Sequence, residues 1–294
     1  MNRKANDAKS VVMVITSMLI FGTIGIFRRY IPISSALLAF TRGTMGGLFI
    51  LLFILLKRKG GREKLPVGTL IYLALTGALM GINWILLFEA YSYTTVAVAT
   101  LCYYMEPTIV MLLSPLLFQE KLTGKKAVCA AVSIAGMVLV SGALEGGGAG
   151  IGNLRGIALG LGAALFYSAV VIMNKRAGGI DAYYRTTVQL LSAGAVMIPY
   201  LLLTKGFTWE GMSPSVLVLL CVVGIVHTGI AYLLYFGSID GLRAQSIAVF
   251  SYNDPVSAVL FSALLLKEPL SIQSLTGAAM IIGSALVSEL QSQG

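Results

Sequence analysis

Long apolar runs, broken at intervals by short polar or basic clusters, set the pattern of this chain. Ten such runs can be placed, each long enough to cross a hydrocarbon layer as a helix. The first five are 11–27, 34–56, 67–91, 95–118 and 124–142, and the next five are 154–174, 182–203, 214–237, 242–266 and 272–289. The glycine-rich stretch between the two sets, EGGGAGIG at 145–152, has the composition of a connector. The predicted architecture is an all-α integral membrane protein of ten transmembrane helices in two halves. The halves are residues 1–145 and 153–294, joined by a connector at 146–152.

Two of the runs carry the same interruption. The fourth holds Glu106-Pro107 near its middle and Glu120 at its end; the ninth holds Asp254-Pro255 and Glu268 at one constant offset. A proline inside a helix removes the amide that would serve the carbonyl four residues earlier, here on Tyr103 and Ser251. In hydrocarbon that carbonyl must be satisfied by protein, water or a ligand. An acid at such a depth costs about 2.5–3.5 kcal/mol on insertion scales. Two expensive positions in matching places of two halves read as a binding site. Five spans per half also has a geometric consequence. An odd number makes the second half enter the membrane from the opposite face, so the repeats are inverted and both breaks fall near the midplane.

Composition agrees with the pattern. Hydrophobic residues make up 57% and charged residues 11%, against about 25% charged in soluble domains, and the mean hydropathy is +0.88. The net charge of +9 sits in short clusters between runs, which suits topology rather than nucleic-acid binding. With the N-terminus inside, Arg3, Lys4, Lys9, the 57–64 cluster, Lys121, Lys125, Lys126, Lys175, Arg176 and Arg243 fall on one side. Arg28, Arg29, Arg155, Lys205 and Lys267 fall on the other. Both termini are therefore expected in the cytoplasm. The three cysteines, Cys102, Cys129 and Cys221, lie inside apolar runs without metal or disulfide spacing.

The repeat extends beyond the prolines. At the same offset Trp84 matches Tyr232, Phe88 matches Phe236 and Tyr104 matches Tyr252, and Arg42 and Arg185 occupy the second span of each half. On these paired proline and acid positions, the two arginines and the span count, the chain resembles the EamA-type members of the drug/metabolite transporter superfamily. The resemblance implies export or exchange of small metabolites, amino acids and drug-like molecules among them. It also implies a cavity lined mainly by spans 1, 3, 4, 6, 8 and 9, with spans 5 and 10 outside as support. The place implied is the cytoplasmic membrane of a bacterium. The chain departs from the usual pattern before its prolines, where Glu106 and the Asn253-Asp254 pair stand in place of small or apolar residues.

The candidate site follows. Glu106 and Asp254 can ligate a cation, carry protons, or brace the breaks at Pro107 and Pro255. Tyr103 shares a helical face with Glu106, and an aromatic wall beside an acid suits an organic cation. Trp84, Tyr104, Tyr232 and Tyr252 join that wall, and Asn83 and Asn253 add neutral hydrogen-bonding groups. His227, the one histidine, is a packing residue or a proton relay. Glu120 and Glu268 stand at helix ends beside Thr123 and Ser271, which cap the helices that follow, and are expected to be structural. Arg42 and Arg185 are supporting residues, bonded to carbonyls or acids, with a substrate carboxylate as the minority reading.

The glycines at 156, 160 and 162 lack the strand and acid of a dinucleotide site and read as helix packing. No zinc-protease or serine-hydrolase motif occurs, so catalysis has little support. The expected function is secondary transport by alternating access, as efflux or proton exchange of a cationic or zwitterionic solute such as an amino acid or amine. The alternatives are an electroneutral facilitator with structural acids, an intramembrane enzyme and a scaffold. Expected partners are a small-molecule substrate, protons as coupling ion and lipid. No cofactor, metal or nucleic acid is expected, and the chain is a monomer or homodimer.

Overall fold

The computed structural model describes residues 2–57, 65–118, 123–140, 151–177, 179–204, 206–208, 212–239, 242, 247 and 250–292. Among these residues no strand occurs. The first half holds α1 (Asn2–Gly22), α2 (Ile24–Arg29), α3 (Ser35–Lys57), α4 (Val67–Tyr93), α5 (Val96–Tyr103), α6 (Glu106–Phe118) and α7 (Gly124–Val140). The second holds α8 (Ile151–Arg176), α9 (Ala182–Ala195), α10 (Met197–Leu203), α11 (Pro214–Cys221), a π-helix (Val222–Ile230), α12 (Ala231–Ile239), α13 (Asn253–Leu265) and α14 (Ile272–Ser292). Among the described residues, seven helical stretches are long and apolar enough to span a bilayer, including Ala8–Arg29, which takes in most of α1 and all of α2, and Val96–Leu113, which takes in the break of the fourth run. The helices α13 and α14 are shorter apolar elements.

Helix ends fall where local chemistry places them. Thr95 accepts from the Val98 amide at 3.1 Å, Asp181 from Tyr184 at 2.9 Å and Ser271 from Ser274 at 3.1 Å, each side chain serving one of the amides a helix start leaves open. Pro214 sits in the first turn of α11, where its missing amide costs nothing. Lys267, at φ 55°, is in the left-handed region just past α13, and the Glu268 amide closes back onto the Ser262 carbonyl at 3.2 Å. That turn aims the Glu268 side chain back across the bundle.

Packing crosses the halves. The α1–α2 stretch lies on the π-helix, α12 and α13 of the second half, while α8 lies on α4, α5 and α6 of the first. The α3 and α4 helices both pack on α9, and α7 pairs with α14. This is the exchange that a two-fold relation between like halves produces. Polar side chains bridge these crossings, as where Asn83 of α4 donates to a carbonyl of α8. They also tie neighbours within each half: Thr108 Oγ1 of α6 donates to Ser133 Oγ of α7 at 2.8 Å, and Gln189 Nε2 of α9 to Asn174 Oδ1 of α8 at 2.6 Å. Lipid tails supply no hydrophobic drive between helices, so close packing and such bonds hold them together.

Two glycine contacts mark places where backbones approach closely. A Cβ on Gly22 would lie 2.9 Å from the Asp254 carbonyl oxygen, so α1 rests directly on the start of α13. On the α7–α14 pair, a Cβ on Gly277 would meet the Gly136 carbonyl at 2.5 Å, whereas one on Gly283 meets nothing within 4 Å. Gly277→Ala must push backbone against backbone and is expected to cost about 1–3 kcal/mol. Gly283→Ala in the same helix is expected to be neutral or mildly stabilising. Thermal unfolding of both purified variants checks this; equal midpoints would contradict the close contact.

Candidate solute-binding cavity

A cavity of about 640 Å³ lies between the two halves, within the range of roughly 300–1,000 Å³ typical of small-molecule sites. Its wall is built at the breaks the prolines make. The α5 helix ends at Tyr103 and α6 begins at Glu106, with Pro107 in its first turn. The break is bridged by the Tyr104 amide to the Thr100 carbonyl at 2.9 Å and the Met105 amide to Cys102 at 3.1 Å. From α8, Ser168 Oγ donates to the Glu106 carbonyl at 3.3 Å. In the second half Asn253 opens α13, and Asp254 stands in its first turn, where the positive end of the helix dipole favours an anion.

Both acids reach the same space. Glu106 and Asp254 line the cavity with Pro107, Tyr103, Tyr104 and Tyr252. Tyr104 donates its hydroxyl proton to Asp254 Oδ2 at 2.5 Å, joining the broken helix of one half to that of the other. Tyr103 stands edge-on to Tyr104 with ring centres 5.7 Å apart, and Tyr167 from α8 lies 5.4 Å from Tyr103. Trp84 and Tyr232 complete the aromatic wall.

Arg42 is also in this wall and is only 6% exposed. Its Nε donates to Thr228 Oγ1 of the π-helix at 2.9 Å, and its guanidinium carbon stands 4.2 Å from the Trp84 ring centre. Toward the other end the lining passes to Lys126 and Lys175, both on the side expected to be cytoplasmic.

Several expected site residues lie elsewhere. The Asn83 side chain is fully buried and donates to the Ala163 carbonyl at 2.6 Å, so it ties α4 to α8 rather than facing the cavity. The Asn253 Nδ2 turns back to the Phe250 carbonyl at 2.8 Å. His227 has Nε2 2.8 Å from Thr23 Oγ1 and its ring 4.6 Å from Phe27, at the bend between α1 and α2 and outside the cavity lining. Pro255 is buried at the start of α13, and Arg185 is half-buried in the first turn of α9. Glu268 takes the Val96 amide at 2.9 Å and the Ala97 amide at 3.4 Å, and pairs with Arg29 at 3.1 Å. It therefore caps α5 in the opposite half, while Ser271 serves the helix that follows. Glu120 lies outside the described residues.

Tyr167 was not among the expected residues, and neither was Tyr91, which also lines the cavity. Tyr167 sits midway along its apolar run, away from the interfaces where tyrosine belts form. That depth was the available signal.

An all-helical, largely apolar chain with charged groups facing one cavity between like halves defines an integral membrane protein of the small-molecule transporter kind. The chain belongs to the EamA-like transporter family, whose model matches it twice, over residues 8–142 and 154–289. It is 26% identical over 287 residues to the Bacillus subtilis protein named Uncharacterized transporter YxxF, spanning 97% of this chain and 91% of that one. It is 28% identical over 268 residues to Protein PecM of Dickeya dadantii, covering 88% and 84% of the two chains. A probable biotin transporter of Pseudomonas aeruginosa is 29% identical over 122 residues, 41% of this chain and 40% of that one. A solved crystal structure superposes with a TM-score of 0.68 at 22% identity, covering 96% of this chain and 98% of that one, and shows the same fold.

Proposed function

We propose that this protein is a secondary transporter that moves a small cationic or zwitterionic solute across the bacterial cytoplasmic membrane, by efflux or by exchange against protons. In this reading ten spans form two inverted repeats with both termini in the cytoplasm, and the halves rock about the cavity to open it alternately. The observation that carries it is the meeting of Asp254 and Glu106, one from each half, in one aromatic-walled cavity at paired helix breaks. Carboxylates and carbonyls freed by the prolines can together replace a cation's water, and tyrosine and tryptophan faces favour an organic cation. A proton and a cation competing for the same carboxylates couple their movements without a second path.

The test is a thermal-shift panel of amino acids, primary amines and quaternary ammonium ions on the purified protein. A true ligand at 100 times its dissociation constant stabilises by about 2.7 kcal/mol. Stabilising compounds are then loaded into proteoliposomes for counterflow. Movement of the unaltered solute is the expected result. Chemical conversion of the solute, or binding with no flux under any gradient, would overturn the reading.

A further inference from the structure

We infer that Arg42 is the anchor for a carboxylate on the solute, so that the transported molecule is a zwitterion held between Arg42 and Asp254. This rests on the transport reading above and narrows its substrate class. Among the described residues, one hydrogen bond reaches the Arg42 guanidinium, from Nε to Thr228 Oγ1, and no ion pair does. Its face lies against Trp84, with Phe88 farther off at 5.8 Å. The Nη1–Nη2 edge is left as the free side of a buried cation in a cavity wall. That edge is a planar fork of donors whose spacing matches the two oxygens of a carboxylate.

Thr228 fixes which edge is free. Its own hydroxyl proton goes to the Val223 carbonyl, five residues back, at 3.0 Å. This is the spacing a π-turn provides, and it leaves the oxygen lone pairs for Arg42. The arginine is therefore held on two sides, by a hydroxyl at Nε and by an indole face.

Of the two acids that line the same cavity, Asp254 is the one joined to the opposite half. Asp254 accepts from Tyr104 and forms no ion pair with Arg42 among the described residues. A cation alone would answer Asp254 and leave the Arg42 charge without an ion-pair partner among the described residues; a lone anion would do the reverse for Asp254. An unpaired buried charge is expensive, and a molecule carrying both signs answers both. The rings of Tyr103, Tyr167 and Tyr232 leave an apolar surround for the body of such a molecule.

The experiment measures binding to purified protein in detergent with two matched sets of probes. One shares a phenyl body: L-phenylalanine, phenethylamine and 3-phenylpropionate. The other shares a branched aliphatic body: L-leucine, isoamylamine and 4-methylpentanoate. At least one zwitterion should bind about tenfold or more tighter than its amine. Arg42→Gln should weaken that zwitterion by about 10- to 100-fold while the amine stays within about twofold. Thr228→Val should give a smaller loss in the same direction, and Arg42→Lys an intermediate one. Where Arg42→Gln does not fold, the lysine and valine variants carry the same comparison.

Equal weakening of zwitterion and amine would assign Arg42 to structure and overturn the inference. So would an amine binding as tightly as its zwitterion, or the failure of both zwitterions to bind. Counterflow of an amine in those cases leaves the transport reading standing, whereas absence of flux for every bound compound removes that reading itself.

Discussion

Asp254→Asn is expected to lower affinity for a cationic or zwitterionic solute by about 10- to 100-fold, since a hydrogen bond to a charged group is worth about 1.5–3 kcal/mol. The amide keeps the shape and the bond from Tyr104 while removing the charge. Folding is expected to persist, because a neutral group is cheaper to hold in the membrane than an ionised one. Glu106→Gln should act in the same direction. Tyr104→Phe removes a neutral donor and should cost about tenfold or less. The pH dependence follows from competition. Protonating the carboxylate removes the charge that holds the solute, so affinity should fall as pH is lowered, and each amide should flatten that response. Flux into proteoliposomes across a pH series is the measurement. If both amides move solute at the wild-type rate with unchanged pH response, the acids are structural and the site is elsewhere.

Glu268→Ala is expected to be among the most destabilising single changes at a helix end in this chain. Glu268 satisfies two otherwise open amides at the start of α5 and pairs with Arg29, whose Nη2 also holds the Thr94 carbonyl at 2.8 Å. It thus ties the end of α2, the turn after α4 and the turn after α13 at one end of the bundle. Its side chain is 10% exposed while that of Arg29 is 35% exposed, and this difference decides which interaction matters. A mostly buried charged cap is worth about 1.5–3 kcal/mol, whereas a partly exposed ion pair is worth about 0–1 kcal/mol. Thermal unfolding should therefore show a large loss for Glu268→Ala, a smaller one for Glu268→Gln, which still accepts, and a loss within about 1 kcal/mol for Arg29→Ala. Arg29→Ala as damaging as Glu268→Ala would show that the ion pair, not the cap, holds this end.

Most of the helical frame can be read from the chain because a bilayer allows few alternatives. Backbone groups in hydrocarbon must be satisfied within the segment, so each apolar run of sufficient length becomes a helix. The run at 67–91 became Val67–Tyr93 and that at 34–56 became Ser35–Lys57. The break at Pro107 was equally legible, since a missing amide acts locally. The start of the ninth run, before Asn253, lies largely outside the described residues.

Periodicity and composition determined that this protein is a helical membrane protein of two like halves, because burial of apolar surface and backbone satisfaction are local demands. Which face each polar side chain shows was decided by tertiary packing. Asn83 and Trp84 are neighbours in sequence, yet a helix turns consecutive residues by about 100°. The position of α8 therefore sends Asn83 to the Ala163 carbonyl and leaves Trp84 beside Arg42. His227 and Thr228 divide in the same way, one to the bend after α1 and the other to Arg42. Glu268 stands in sequence at the connection between two spans, but the left-handed turn at Lys267 carries its side chain to α5. Such choices depend on partners far away in sequence, and only the assembled bundle brings those partners within reach.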